Sequence, residues 1–245
     1  MKSKREILPK GRLEKTLAII ALLCVVAAIV LIAWEPVRGL FRKEKTNELA
    51  EQIDSITVPS EGESVSNATI VVKKNEMKID GEDPEFLYEM TPEEIADYER
   101  FMAELPEEII LTPLGTIKIP SIDLHLGLWN EATVVPLRYG AGHKKDTALP
   151  GQEGNCVILG HRMITDGELF NRLGNVVVGD EILIASVSDE VCTYVVDTIH
   201  PAVSPADLWK YVEKDNGSGT QITLVTCTPT GVGTHRLLII GHLKT

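Results

Sequence analysis

Ile222-Thr-Leu-Val-Thr-Cys227, followed by Thr228-Pro229 and then, from Arg236, by Leu-Leu-Ile-Ile-Gly241, is the stretch whose reading decides the fold. The first run reads as a strand that ends on a thiol just where Thr228-Pro229 turns the chain. A strand end is a rigid platform facing loops, which suits a nucleophile. If 221–227 and 235–241 pair as a hairpin, any unbulged register with an odd residue sum places Cys227 and Arg236 on one face; 227 opposite 236 or 234 are examples. A guanidinium there can stabilise a thiolate and later a developing oxyanion.

Outward from this hairpin, Leu159-Gly160-His161-Arg162 closes another apolar run, again with a chemically useful side chain at a strand end. Taken singly, a His or a Cys in such a place is more often structural. Short apolar runs broken by Gly, Pro, Asn and Asp continue through the second half of the chain. They give candidate strands at 115–119, 122–127, 155–160, 181–186, 191–198, 221–227 and 235–241, with brief helices near 167–173 and after the capping-type Ser204-Pro205-Ala206-Asp207. Many short strands with turn signals between them predict an all-β barrel or sandwich.

The first half reads differently. Thr16 to Trp34 carries no charge. At about 1.5 Å per residue its length nearly matches a hydrocarbon core of roughly 30 Å. The run is too long for a cleaved leader and lacks a small-residue cleavage site, so it predicts a transmembrane signal-anchor over 16–34 behind a basic tail, 1–15. Six basic residues precede it and four follow closely, which favours a cytoplasmic N-terminus and an extracytoplasmic body at the cell membrane. Residues 35–75, polar and poor in aromatics, read as a juxtamembrane stalk. Residues 76–112 form an acidic segment. Within it Thr91-Pro92-Glu93-Glu94 starts a helix with a capping box, and Ile95, Tyr98, Met102 and Leu105 follow at helical spacing as one apolar stripe. This stripe is expected to pack on the body.

Residues 1–45 hold ten Lys/Arg and four Glu. The remaining 200 residues then carry fourteen basic and thirty-two acidic side chains, a net of −18. A body so acidic is repelled by phosphate backbones, which excludes nucleic acid as a partner. Cys24 lies in the apolar span. Cys156 and Cys192 sit in strand-like apolar runs and are expected to be buried small hydrophobes.

Together, ITLVTC with TP, GVGTHRLLIIGH, and ILGHR some sixty residues upstream resemble the sortase family. Leu114-Gly-Thr-Ile-Lys-Ile-Pro120, Tyr139-Gly-Ala-Gly-His143, Thr147-Ala-Leu-Pro-Gly151, Leu169-Phe170 and Gly179-Asp180 extend the likeness over roughly residues 113–243. The resemblance implies a closed eight-stranded β-barrel over 113–245. It further implies a cysteine transpeptidase that cleaves LPxTG-like sorting signals between Thr and Gly. By motif, Cys227 is the nucleophile, His161 the acid and base, and Arg236 the holder of the oxyanion or substrate backbone. Thr223, Leu224 and Thr226 would line the substrate. Partners would be LPxTG-like surface proteins or pilins, an amine acceptor (a cell-wall peptidoglycan precursor or a pilin Lys) and the membrane; no metal or organic cofactor is required.

Around the Cys–Arg motif the chain is similar to class C, pilin-type sortases, with class D-like features elsewhere. Pilin-type members carry an Asp-Pro-aromatic lid and a second span. Here Asp83-Pro84-Glu85-Phe86 makes Asp83 and Phe86 a possible lid, interrupted by Glu85, and no second span is read before Thr245. His143 and His235 read as structural. Three rival readings were weighed: a zinc site on Cys227, His161 and His235, which lacks ligand spacing; a hydrolytic cysteine peptidase; and a catalytically idle pilus or surface assembly module.

Overall fold

The computed structural model describes residues 10–56, 68–80, 91–187, 191–212 and 219–244. It divides into two compact units, Met1–Arg38 and Gly39–Thr245. Helix α1, Lys10–Ile56, begins in the first and ends in the second. In the first unit its most apolar window has a mean hydropathy of 3.1 and no buried residue, so the helix is long and apolar enough to cross a membrane.

After α1 the second unit runs through β1 (Ile70–Lys73), α2 (Lys74–Asp80), α3 (Pro92–Glu104), β2 (Glu108–Leu111), β3 (Pro113–Ile119), β4 (Leu124–Trp129) and α4 (Val134–Tyr139). It continues with β5 (Gly140–His143), β6 (Gly154–Leu159), β7 (Glu181–Ser186), β8 (Val191–Val203), α5 (Trp209–Val212), β9 (Thr220–Thr228) and β10 (His235–Leu243). Eight strands close a barrel in the order β10-β8-β7-β3-β4-β5-β6-β9, while β1 and β2 form a separate antiparallel ribbon. Within the barrel β4·β5 and β6·β9 are parallel pairs, and the other pairings are antiparallel.

The period-two pattern of each strand explains the closure. Ile117 and Ile119, Leu126 and Leu128, Cys156 and Ile158, Ile182 and Ile184, Ile222 and Leu224 all enter one buried cluster. Alternate residues of neighbouring strands thus fill the interior. The expected closed, eight-stranded all-β body is therefore present. β5 was not among the candidate strands: Gly-Ala-Gly-His reads as a turn and offers no apolar alternation.

Residues 39–56 correct the expectation of a stalk over 35–75. Leu49 and Ile53, spaced i and i+4, are buried in a second cluster with Trp129, Val135 and Tyr139, and Met102 and Leu105 pack against it. The polar stretch 60–67 lies outside the described residues. Ile70 to Lys73 pairs in register with Glu108 to Leu111, so this part too belongs to the folded body. α3 has the capping box read from the sequence: the Glu94 amide donates to Thr91 Oγ1 and the Thr91 amide to Glu94. Its stripe residue Tyr98 is buried, as expected of a helix laid on the body.

Asp54 fastens α1 to the barrel. Thr116 donates to one carboxylate oxygen and Lys118 to the other, both at 2.7 Å. Burial opposes ionisation of Asp54, but the hydrogen bonds from Lys118 and Thr116 outweigh it and hold the carboxyl below its usual range. A carboxylate lowered in this way stabilises the fold above its unfolded pKa of about 3.9, and that contribution disappears as pH falls through the folded value. Asp54→Asn should lower the melting temperature at neutral pH and flatten part of the acid limb of a Tm-versus-pH curve. A curve superimposable on that of the parent protein would remove Asp54 from the docking of α1.

Candidate active site

Two pairings of β9 build the site. On one side β10 lies antiparallel with Arg236 directly opposite Cys227, the odd-sum register expected from the sequence. Opposed residues in such a pair have Cβ atoms about 4.5–5.5 Å apart. On the other side β6 lies parallel, its last pair being Leu159 with Val225. His161 and Cys227 each stand two residues beyond that pair, at the same end of the two strands: Cys227 is still within β9, and His161 lies just past the end of β6. The Gly160 amide donates to Val225 O (3.2 Å) and Thr226 Oγ1 to Gly160 O (2.7 Å), so the two strands stay joined up to the chemistry.

Alternation fixes which face this is. Leu224 points into the barrel, whereas Val225 joins Val157, Val203 and Leu238 in an outer cluster. Cys227, two residues past Val225, and Arg236, two before Leu238, therefore continue that outer apolar strip. Cys227, His161 and Arg236 are each half-buried. The arrangement brings a thiol, an imidazole and a guanidinium to one end of the strand pair.

Local sequence explains why the His161 strand ends where it does. Gly160 lies against the Phe170 ring, and a Cβ there would meet the ring at 2.5 Å. Phe170 is fully buried, and its amide donates to His161 O at 2.9 Å. The loop 161–170 thus returns to its own start, closed by the Arg162–Leu169 bridge. In the β9–β10 turn the Gly233 amide donates to Pro229 O (2.9 Å), and Arg236 Nη1 donates to Gly233 O (2.5 Å) and His235 O (3.0 Å). These bonds fold the guanidinium towards the turn.

Arg162 was quoted in the sequence without a role. Its Nη1 donates to Thr228 Oγ1 (3.2 Å) and its Nε to Asn171 O (3.3 Å), so it ties the residue after the thiol to the loop after the imidazole. The signal for it was an arginine beside a strand-end His in a strongly acidic body.

Other sequence-derived candidates land elsewhere. Thr223, Leu224 and Thr226 are corrected as substrate-lining residues. Leu224 is in the barrel interior, and Thr223 is buried with its hydroxyl donating to Asn155 Oδ1 at 2.8 Å. Thr226, 2% exposed, is spent on Gly160 O. A strand one side chain wide cannot show both faces to one ligand. Asp83 and Phe86, the possible lid, lie outside the described residues. His143 is buried, its Nε2 3.0 Å from both Ala148 O and Thr147 Oγ1, where it secures a turn. His235 is exposed beside Thr234 Oγ1. No disulfide joins the four cysteines among the described residues, and burial, with a smaller contribution from the Cys192 thiol, pushes Cys156 up to about 12.

Residues 117–244 match the family model described as Sortase domain. Sortase A of Bacillus anthracis is 33% identical over 130 residues, covering 53% of this chain and 59% of that protein. Sortase D of Bacillus subtilis is 28% identical over 141 residues, covering 54% and 64%. The match thus spans less than two thirds of either relative. The crystal structure of sortase C-1 from Actinomyces oris superposes with a TM-score of 0.50 at 31% identity, covering 66% of this chain and 87% of that one.

Thiol chemistry separates the cysteines experimentally. A thiol with a pKa near 12 is only about one part in 10⁵ thiolate at neutral pH, and the thiolate is the reactive form. Iodoacetamide on the folded protein at neutral pH should label Cys227 at least about tenfold faster than Cys156 by peptide mapping. Equal labelling would mean that the barrel does not shield Cys156.

Proposed function

We propose, from the premise that this chain belongs to the sortase family, that it is a cysteine transpeptidase acting on LPxTG-like sorting signals. The observation that carries the proposal is the register that sets Arg236 opposite Cys227, with His161 two residues past the end of the neighbouring parallel strand.

The chemistry follows from the groups. Cys227 gives its thiol proton to His161, its Sγ attacks the Thr carbonyl carbon, and the electron pair of that C=O moves onto oxygen. Arg236 N–H groups neutralise the resulting oxyanion. As the C–N bond to Gly breaks, His161 gives its proton to the leaving amine, and an acyl-thioester remains on Cys227. An incoming amine, on a cell-wall precursor or a pilin Lys, then loses a proton to His161 as it attacks the thioester. The thiolate leaves. A thiol suits this division because it is both a strong nucleophile and a good leaving group towards amines.

The organisation read from the sequence fits the same proposal. A basic cytoplasmic tail precedes the span at 16–34, and the barrel from 113 onward works outside the cytoplasm at the cell membrane. Substrates would be surface proteins or pilins bearing the signal.

The test is mass spectrometry of the full chain in detergent, incubated with an LPxTG peptide with and without an added amine. An amide-linked product, formed only with amine, is expected; hydrolysed peptide alone in both arms would make it a peptidase instead. Cys227→Ala should abolish cleavage and transfer with the fold intact, and continued turnover would end the assignment. Arg236→Lys keeps the charge but loses the planar fork. Since one lost oxyanion donor costs about 2.7–4 kcal/mol, kcat/KM should fall at least about tenfold. Parent kinetics in the Lys variant would leave Arg236 beside the reaction and not in it.

A further inference from the structure

We propose that Arg42, on the stretch of α1 that follows the apolar span, is a positioning residue for catalysis: through Glu168 it holds the loop that carries His161. The inference rests on reading Cys227, His161 and Arg236 as the reacting groups. It makes the root of the anchor helix part of the active-site scaffold.

Three observations converge on the contact. Arg42 Nε donates to Glu168 Oε1 at 2.5 Å and Nη2 to Oε2 at 3.4 Å, a two-point contact of planar guanidinium with planar carboxylate. The Glu168 side chain is 1% exposed and that of Arg42 12%. A carboxylate so far out of water is costly unless it is paired and hydrogen-bonded, so the loop adopts this shape with its acid inside because a cation meets it there. One turn earlier on the helix, Gly39 lies against Thr165 of the same loop, and a Cβ at Gly39 would come within 2.3 Å of Thr165 Oγ1.

The loop transmits the contact to the chemistry because it is internally stiff. The Glu168 amide donates to Thr165 O and the Asn171 amide to Glu168 O. Asn171 Nδ2 donates to Met163 O at 2.6 Å, and its Oδ1 accepts from the Gly167 amide. Phe170 then bonds His161 O, and Arg162 reaches from the next residue to Asn171 O and Thr228. Glu168 is thus anchored on both sides within a knot whose ends are His161 and the residue after Cys227. A shift of the carboxylate moves the backbone that aims the imidazole. A misplacement of about 1 Å far from the reacting atoms can cost on the order of a hundredfold in rate.

The test uses the full chain in detergent with four variants: Arg42→Met, Arg42→Lys, the pair Arg42→Met with Glu168→Gln, and Lys45→Ala. Lys45→Ala is a control for a neighbouring charge that pairs with Glu48 and Glu76 at the surface. Tm, kcat and KM for an LPxTG peptide, and the rate of Cys227 alkylation at neutral pH are measured on each. Arg42→Met should lose Tm and kcat together, because it removes a two-point guanidinium contact from a buried carboxylate. The paired variant removes that charge and should regain most of the Tm. Its kcat should still stay at least about tenfold low, with KM within about threefold of the parent, and its alkylation should be slower by at least about threefold. Arg42→Lys, which keeps the charge without the fork, should fold and lie between parent and Arg42→Met. The control should match the parent.

A paired variant with parent kcat and alkylation rate overturns the proposal, since a purely structural ion pair would be relieved by neutralising both partners. Should the parent cleave no sorting peptide at all, the proposed function fails instead. The alkylation rates then decide the positioning role alone: slower labelling in a folded Arg42→Lys variant supports it, and an unchanged rate overturns it. If Arg42→Met does not fold, the Lys variant and the pair carry the same comparison.

Discussion

The site depends on one feature of the barrel, the parallel pairing of β6 with β9. Antiparallel neighbours joined by a tight turn bring the end of one strand to the start of the next. Parallel neighbours bring two strand ends together, but they require a long crossover between them. Here that crossover runs from Gly160 to Gly219 and includes β7 and β8. His161 and Cys227 each stand just beyond the pair Leu159–Val225. The third group, Arg236, needs only the short β9–β10 turn. The candidate set is therefore one long-range pairing plus one local hairpin, which is why its members lie sixty-six and nine residues from Cys227 in the chain.

Because one face of β9 lines the barrel core and the other an outer cluster, its two faces carry different loads. Inward, Ile222 and Leu224 sit in the apolar interior. Outward, Val225 and then Cys227 follow a buried polar knot made by Gln221, Thr223 and Asn155. There Gln221 Nε2 donates to Thr223 Oγ1, Thr223 to Asn155 Oδ1, and Asn155 Nδ2 to Tyr211 O. Buried polar groups that are fully paired fix one arrangement, whereas an unpaired one would cost about 1–3 kcal/mol. The knot reaches from β6 and β9 to the α5 segment and fixes the register of the same two strands whose far ends carry His161 and Cys227.

That division also shows how far the sequence could be read. Cys227, His161 and Arg236 stood out because each follows or begins a clear apolar alternation, so parity alone put Cys227 and Arg236 on one face. Parity should equally have separated Leu224 and Thr226 from Cys227, yet motif proximity placed them with the substrate; the structure returns them to the interior side. β5 escaped because Gly140 and Gly142 have no side chains to alternate, and its strand character comes from its neighbours β4 and β6. Residues 39–56 escaped for a different reason. Leu49, Ala50 and Ile53 are few among polar neighbours, and composition hides a narrow stripe that matters only once Trp129 and Tyr139 are there to receive it.

Charge placement completes the argument. Residues 46–245 carry a net of −18, a background that disfavours a thiolate anywhere on the body. The arginines on this side of the barrel differ in how they are held. Arg172, bound to Asp166 and Asp123, has its charge cancelled locally. Arg42 is likewise matched by Glu168. Arg162 is fixed by Thr228 Oγ1 and Asn171 O, and Arg236 Nη1 by Gly233 O and His235 O, all uncharged acceptors. Such bonds fix the direction in which each guanidinium points. For Arg162 one acceptor, Thr228, is the residue after the thiol, and for Arg236 the strand register sets it opposite Cys227. Carboxylates brace the scaffold around the candidate site, and neutral acceptors orient the two arginines nearest the end of β9, so an acidic body holds these cations by uncharged groups as well as by ion pairs.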